Sequence, residues 1–261
     1  MTMITGWARA AALAASIGAA SFTGLAAGEA AGDDPLAAAM TDAQKQRFDA
    51  LVRQYILDHP EVIVESLQAY QTRQRAAEQR DAQAALVAMK GELENDPRMP
   101  IAGNPAGDVT VVEFFDYRCT YCKRVLPAIQ ELIESDGNIR YVFVEFPVLG
   151  PESVTAARAA LAVWNLRPET YFAFHTALLE ARGSLSEDRV LQIATGLGLD
   201  AAQLRTAMAD PKIDEALERN YALGRRINVT GTPAFVIGGK LVPGAIDLAA
   251  MKQLVSAARD G

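Results

Sequence analysis

The sequence predicts an α/β fold: a small sheet interrupted by an inserted block of helices, with a separate helical module ahead of it. Three observations predict it. Two apolar, β-branched runs, VTVVEFFDY and IRYVFVEFPVL, flank a helical stretch, CTYCKRVLPAIQELIES. From residue 151 to about 228, helical patterns follow one another without a strand. Strand, Gly-Gly turn, strand and final helix then return in INVTGTPAFVIGGKLVPGAIDLAAMKQLV.

The first 30 residues stand apart. MTMITGWARAAALAASIGAASFTGLAAGEAAGDD has one early cation, Arg9, then an Ala-rich, weakly apolar run, then small residues. This is the pattern of a secretory signal peptide cleaved between Ala26 and Ala31. A membrane anchor needs about 18 strongly apolar residues. Here Ser16, Gly18, Ser21, Thr23 and Gly24 interrupt the run. Export implies an oxidising compartment, where disulfides persist. Half of the 261 residues are hydrophobic, enough for a core without staples. The net charge of −7 argues against nucleic acid as a partner, since binding to phosphates needs a basic surface.

Residues 31–95 read as a helical module and stalk. Thr41 and Asp42 are candidate caps. Phe48, Leu51, Val52, Tyr55 and Ile56 recur at three and four, giving one apolar stripe. His59-Pro60 ends this helix, and Pro60 suits the first turn of a second. The second helix is expected to reach about Asn95. It is apolar at its start (Val62, Ile63, Leu67, Tyr70) and at its end (Leu86, Met89, Leu93), with only alanine for a stripe between. The apolar faces either pack on the main domain or join copies of the chain; self-association is the reading preferred.

Residues 96–261 read as the main domain. NDPRMPIAGNPAGD, residues 95–108, reads as a Pro/Gly-rich linker. The strand–helix–strand unit that follows makes a parallel β–α–β. With the insertion over 151–228 and the closing β–β–α half, the order is that of a thioredoxin-like fold.

Cys119 and Cys122 are the only cysteines. Cys119 falls where the first strand ends and the helix begins. Unpaired backbone N–H groups and the helix dipole there favour a thiolate, and Arg118 and Lys123 flank it. The thiolate is the nucleophile of disulfide exchange. Cys122, one turn on and less exposed, closes a disulfide with Cys119 and resolves mixed disulfides. A purely structural disulfide is one alternative, but so short a loop contributes only about 2 kcal/mol. A zinc site is another. It needs four ligands, and only His59 and His175 remain, the latter among core aromatics. Two thiolates alone suit Cu(I) as a side activity. No metal is therefore assigned, and no cofactor beyond the redox-active Cys119–Cys122 pair.

Two more features surround the pair. Glu113 is acidic inside an apolar strand, where a charge is costly. Burial raises its pKa and makes it a candidate proton acceptor for Cys122. Strand alternation sends Phe114 and Asp116 to the other face. Thr232-Pro233 precedes the strand AFVI; in a thioredoxin-type sheet this proline is cis and faces the cysteines. Its neighbouring backbone then suits pairing with an incoming unfolded chain.

Taken together, EFFDYRCTYC, EFPVLGPESVTAARAAL and GTPAFVIGGKLVPG resemble the DsbA-like thiol–disulfide oxidoreductases of the bacterial periplasm, from about residue 109 on. The resemblance implies a nucleophile at Cys119, a resolving Cys122, a buried acid at Glu113 and a cis-proline loop at Thr232-Pro233. Thr120, Tyr121, Thr232 and Pro233 are the candidate substrate-binding residues. DsbA proper carries Pro-His where Thr120 and Tyr121 stand, so its histidine is missing here. Thr232 is more similar to the family's isomerases than to its oxidase. The stretch LDHPEVIVESLQ is similar to the N-terminal segment of ScsC-like members, which implies trimers, isomerase or reductase action and a link to copper tolerance. The expectation is a homotrimeric or homodimeric protein disulfide isomerase/reductase. It acts on unfolded or misoxidised secreted proteins and is kept reduced by a membrane-bound redox partner. The alternatives are a dithiol oxidase donating its own disulfide and a copper-sequestering or chaperone protein.

Overall fold

A computed structural model of the chain describes residues 40–260. The signal peptide expected over residues 1–30 lies outside them. The described residues fall into two compact units, one ending at Ser66 and one beginning at Leu67, inside the expected stalk.

The first unit holds helix α1 (Asp42–Asp58) and the start of helix α2 (Glu61–Ala88). Thr41 caps α1 in a reciprocal box with Gln44: its hydroxyl accepts from the Gln44 N–H, and the Gln44 side chain accepts from the Thr41 N–H. No residue of α1 is buried. Phe48, Leu51 and Tyr55 on α1, and Ile63 and Val64 on α2, are each more than half exposed.

In the second unit, α2 breaks at Met89 and a short helix α3 (Lys90–Asn95) follows, where a single helix to Asn95 was expected. The stretch expected to be a linker contains an edge strand, β1 (Ile101–Gly103). Three residues bracketed by proline and glycine carry no readable alternation; the strand exists because it pairs antiparallel with β3 (Ile139–Glu145). Strand β2 (Val109–Phe115) runs parallel to β3, and helix α4 (Thr120–Asp136) crosses between them. Gly137 ends α4 in the left-handed region, φ 69°, where glycine carries no side-chain penalty. The insertion comprises α5 (Pro151–Leu166), a single 3₁₀ turn, α6 (Tyr171–Glu180), α7 (Glu187–Gly196), α8 (Ala201–Met208) and α9 (Pro211–Arg226). Strands β4 (Ala234–Ile237) and β5 (Lys240–Pro243) and helix α10 (Leu248–Arg259) close the fold. The sheet order is β1-β3-β2-β4-β5, with β4 antiparallel to β2. This is the thioredoxin-like fold with a helical insertion.

Alternation along β2 divides the core. Val109, Val111 and Phe115 join the cluster formed with α4, α10 and the insertion. Val112 and Phe114 join a second cluster on the opposite face. There Leu86, Met89 and Leu93 pack with Val142, Val144, Leu223 and Ile227. Each such side chain stabilises by about 1.5–3 kcal/mol, so the end of α2 is part of this domain's core.

Helix α9 lies close on that face. A Cβ at Gly224 would come within 2.6 Å of the Phe146 ring. Gly224→Ala, although favourable for helix propensity, is expected to destabilise by about 1–3 kcal/mol through overpacking. Urea unfolding measures it; an unchanged midpoint would show that Phe146 yields freely.

Candidate functional site

The two cysteines lie at the junction of β2 and α4. Cys119 is the N-cap residue of α4, with extended backbone at φ −70°, ψ 116°, and no side-chain cap bond is made there. The turn before it is fixed by the Cys119 N–H donating to the Asp116 carbonyl at 3.0 Å. Both cysteines are free thiols. The Cys119 S–H donates to the Thr232 carbonyl at 3.2 Å. The Thr232-Pro233 bond is cis. Thr232, Pro233 and Cys119 therefore meet, although Thr232 and Cys119 are 113 residues apart.

Cys119 is 6 % exposed and Cys122 is 0 % exposed. Burial, and next the nearby charge of Glu113, push the Cys122 thiol well above the ordinary range. Glu113 sits on the same face of the sheet, 1 % exposed, and accepts from the Tyr141 hydroxyl at 2.8 Å. Burial pushes its carboxyl up to about 8, and the Tyr141 bond only partly opposes this. The Glu113 charge thus disfavours the Cys122 thiolate.

The cations flanking the pair are otherwise engaged. Arg118 Nε lies 3.2 Å from Glu152 Oε2, and its Nη1 donates to the Leu149 carbonyl. Lys123 Nζ donates to the Ala181 carbonyl at 2.9 Å, and burial, then Arg118, lowers its pKa. Thr120 opens α4 and faces solvent. Tyr121 is 55 % exposed, with the Arg124 guanidinium over its ring. Val148 and Leu149, also exposed, follow β3; Leu149 reaches the site through Arg118 and Asp116.

Asp116 binds the turn to that loop. Its carboxylate, 1 % exposed, accepts from the Arg118 N–H at 2.7 Å, the Leu149 N–H at 2.9 Å and the Ser153 hydroxyl at 2.8 Å. Sequence reasoning placed Asp116 off the cysteine face without seeing this role. It also missed Glu145, buried at the end of β3, where the Tyr117 and Tyr171 hydroxyls donate to it at 2.8 and 2.9 Å. The repeated pairing of glutamate with phenylalanine in VVEFF and VFVEF was the available signal: in parallel register Glu145 stands opposite Phe115, one step along from Glu113.

The arrangement has one sulfur at a helix N-terminus against the cis-proline loop, and a second, buried sulfur near the Glu113 carboxyl. Residues 110–256 match the family described as DSBA-like thioredoxin domain, and residues 44–77 match the copper resistance protein ScsC N-terminal domain. A thioredoxin-like oxidoreductase from Silicibacter pomeroyi DSS-3 is 43 % identical, with a TM-score of 0.63 over 66 % of this chain and 98 % of that one. ScsC of Proteus mirabilis in a transitional conformation is 30 % identical, with a TM-score of 0.63 over 85 % of this chain and 98 % of that one. Among curated relatives, Na(+)/H(+) antiporter NhaA 1 of Salinispora arenicola is 31 % identical over 64 % of this chain, which spans only 26 % of that relative's length.

Proposed function

Since this chain belongs to the DSBA-like thioredoxin domain family, with its thiol–disulfide oxidoreductases, we propose that it is a periplasmic protein disulfide isomerase and reductase working through Cys119 and Cys122. The observation that carries this is the Cys119 sulfur, held 3.2 Å from the Thr232 carbonyl at the start of α4. A misoxidised chain laid along that loop places its disulfide beside the sulfur.

The Cys119 thiolate attacks one substrate sulfur. The substrate disulfide breaks, a mixed disulfide forms, and the departing substrate thiolate takes a proton. In isomerisation a substrate thiolate returns to release Cys119 unchanged. In reduction, or when the intermediate stalls, the ionised form of Glu113 takes the Cys122 proton, the Cys122 sulfur attacks Cys119, and the second substrate thiolate leaves and takes a proton. The Cys119–Cys122 disulfide so formed takes two electrons and two protons from a dithiol of a membrane-bound partner. The two proton-holding groups suit this order: Cys122 stays a thiol until an intermediate needs it.

Isomerase action also fits the outward apolar faces of α1 and the start of α2. Such faces join copies of the chain as a homotrimer or homodimer and put several reactive sulfurs on one body, raising their effective concentration at a misfolded client. Removing residues up to Ser66, which spares Leu86, Met89 and Leu93, is expected to give a monomer by light scattering. It keeps reductase activity and loses at least about tenfold of its isomerase activity. A full-length protein that scatters as a monomer defeats the association.

Refolding of a scrambled-disulfide test protein is the main test. The reduced protein restores native pairing. Rapid oxidation of reduced substrate without rescue of scrambled substrate would establish a dithiol oxidase instead. The ScsC-type match over residues 44–77 keeps copper capture by the two sulfurs as a second reading. Copper retention that survives loss of both sulfurs counts against it.

A further inference from the structure

The turn that carries Cys119 is pinned from below by a buried polar chain that the exchange steps do not use. Tyr117, two residues before Cys119, is 1 % exposed. Its hydroxyl donates to Glu145 Oε1 at 2.8 Å and lies 3.3 Å from His175 Nδ1. Tyr171 donates to the same Glu145 oxygen at 2.9 Å. The Tyr117 ring stands edge-on to Phe115 at 5.1 Å and to His175 at 5.5 Å. A tyrosine hydroxyl has one proton to give. Where that proton goes to Glu145, His175 Nδ1 meets the hydroxyl as a donor and Nε2 is left as an acceptor. Nε2 has no partner among the described residues, and unpaired buried polar atoms are costly.

We propose that Glu145 is a positioning residue of the dithiol site, acting through the Tyr117 hydroxyl on the turn that presents Cys119 to Thr232. The inference rests on Cys119 and Cys122 being the redox pair. The two redox forms feel the pin unequally. In the disulfide form a covalent bond to Cys122 already ties Cys119 to α4. In the dithiol form the turn has only non-covalent anchors: Tyr117 on Glu145 below, and Asp116 on Leu149 and Ser153 at the side. Removing the Tyr117 hydroxyl therefore costs the dithiol form more, and the equilibrium moves toward the disulfide.

Burial holds Glu145 well above the ordinary carboxyl range and His175 down at about 3. Burial thus disfavours charge on both groups. Glu145→Gln keeps the shape of the side chain and is expected to be the mild variant. Tyr117→Phe deletes a single oxygen and is the informative one. Tyr171→Phe is the comparison, since it removes a bond to the same carboxyl from α6, and its hydroxyl reaches the Cys119 turn only by way of Tyr117 and Glu145.

The test is the dithiol–disulfide equilibrium constant of the full chain against glutathione, with a thermal melt to establish folding of each variant. Tyr117→Phe is expected to shift the constant at least fivefold toward the disulfide, about 20 mV at 29.6 mV per tenfold. Tyr171→Phe should stay within twofold, and Glu145→Gln between the two. If Tyr117→Phe folds and leaves the constant within twofold, the inference is overturned. It is equally overturned if Tyr171→Phe shifts the constant as far, because the effect is then general loosening. Should Tyr117→Phe fail to fold, Glu145→Gln against Tyr171→Phe decides by the same comparison. A wild-type chain that never equilibrates with glutathione defeats the redox reading itself, and this inference with it; a wild type that equilibrates while Tyr117→Phe matches it defeats the inference alone.

Discussion

Cys119→Ser is expected to lower disulfide exchange by at least about a thousandfold, on the scale of removing a covalent nucleophile. A serine hydroxyl at the start of α4 has the same neighbours, but at neutral pH it supplies no anion able to attack sulfur. The fold should hold, because Cys119 makes no side-chain cap bond and its sulfur's bonds, to the Thr232 carbonyl and the Cys122 sulfur, are ones a hydroxyl can replace. Cys122→Ser should behave differently. Attack by Cys119 survives, but nothing expels a stalled client, so mixed disulfides with one client per chain accumulate on non-reducing gels. The contrast between the two variants separates attacking from resolving sulfur. Full activity in Cys119→Ser would favour a chaperone or metal-capturing protein.

Glu113→Gln is expected to have the largest effect on stability, with a pH signature. Unfolded, Glu113 loses its proton near 4.5; folded, burial holds it to about 8. Between those values the folded state binds more protons than the unfolded one, so wild-type stability falls as pH rises. The stabilising contribution is complete below pH 4.5 and is lost by about pH 8. At 1.36 kcal/mol per unit, the whole shift amounts to about 5 kcal/mol. Glutamine cannot ionise and escapes this loss. The variant should therefore match wild type near pH 4.5 and exceed it by several kcal/mol at about pH 9 in urea unfolding. It should also release mixed disulfides more slowly, since Cys122 loses its proton acceptor. Parallel stability curves for the two proteins across this range would remove the buried-acid account.

An acid between Val112 and Phe114 in a strand can be located from alternation alone, and so can its side of the sheet. The helical block was legible from helical patterns that follow one another over residues 151–228 without a strand. The edge strand at Ile101 was not, because three residues between prolines and glycines hold no period and depend on β3 for their pairing. Met89 breaks a helix that its neighbours would continue, and its burial with Leu93 against Val112 and Phe114 is a tertiary fact. Glu145 was hidden for a related reason: its hydroxyl donors lie 28 and 26 residues away, on opposite sides in sequence. Local reading finds residues whose chemistry is decided by their own element. It misses those whose partners arrive from elsewhere.

The outer strands carry a further consequence. They have only three and four residues, and Pro100 and Pro243 lie beside them or within them. Under the proposed function, clients arrive as extended chains with free amide edges, the material that zips onto any long open ladder. A border this brief offers almost no track for zippering. Under the proposed function, a client held at the cis-proline loop is released without recruiting the molecule into its aggregates.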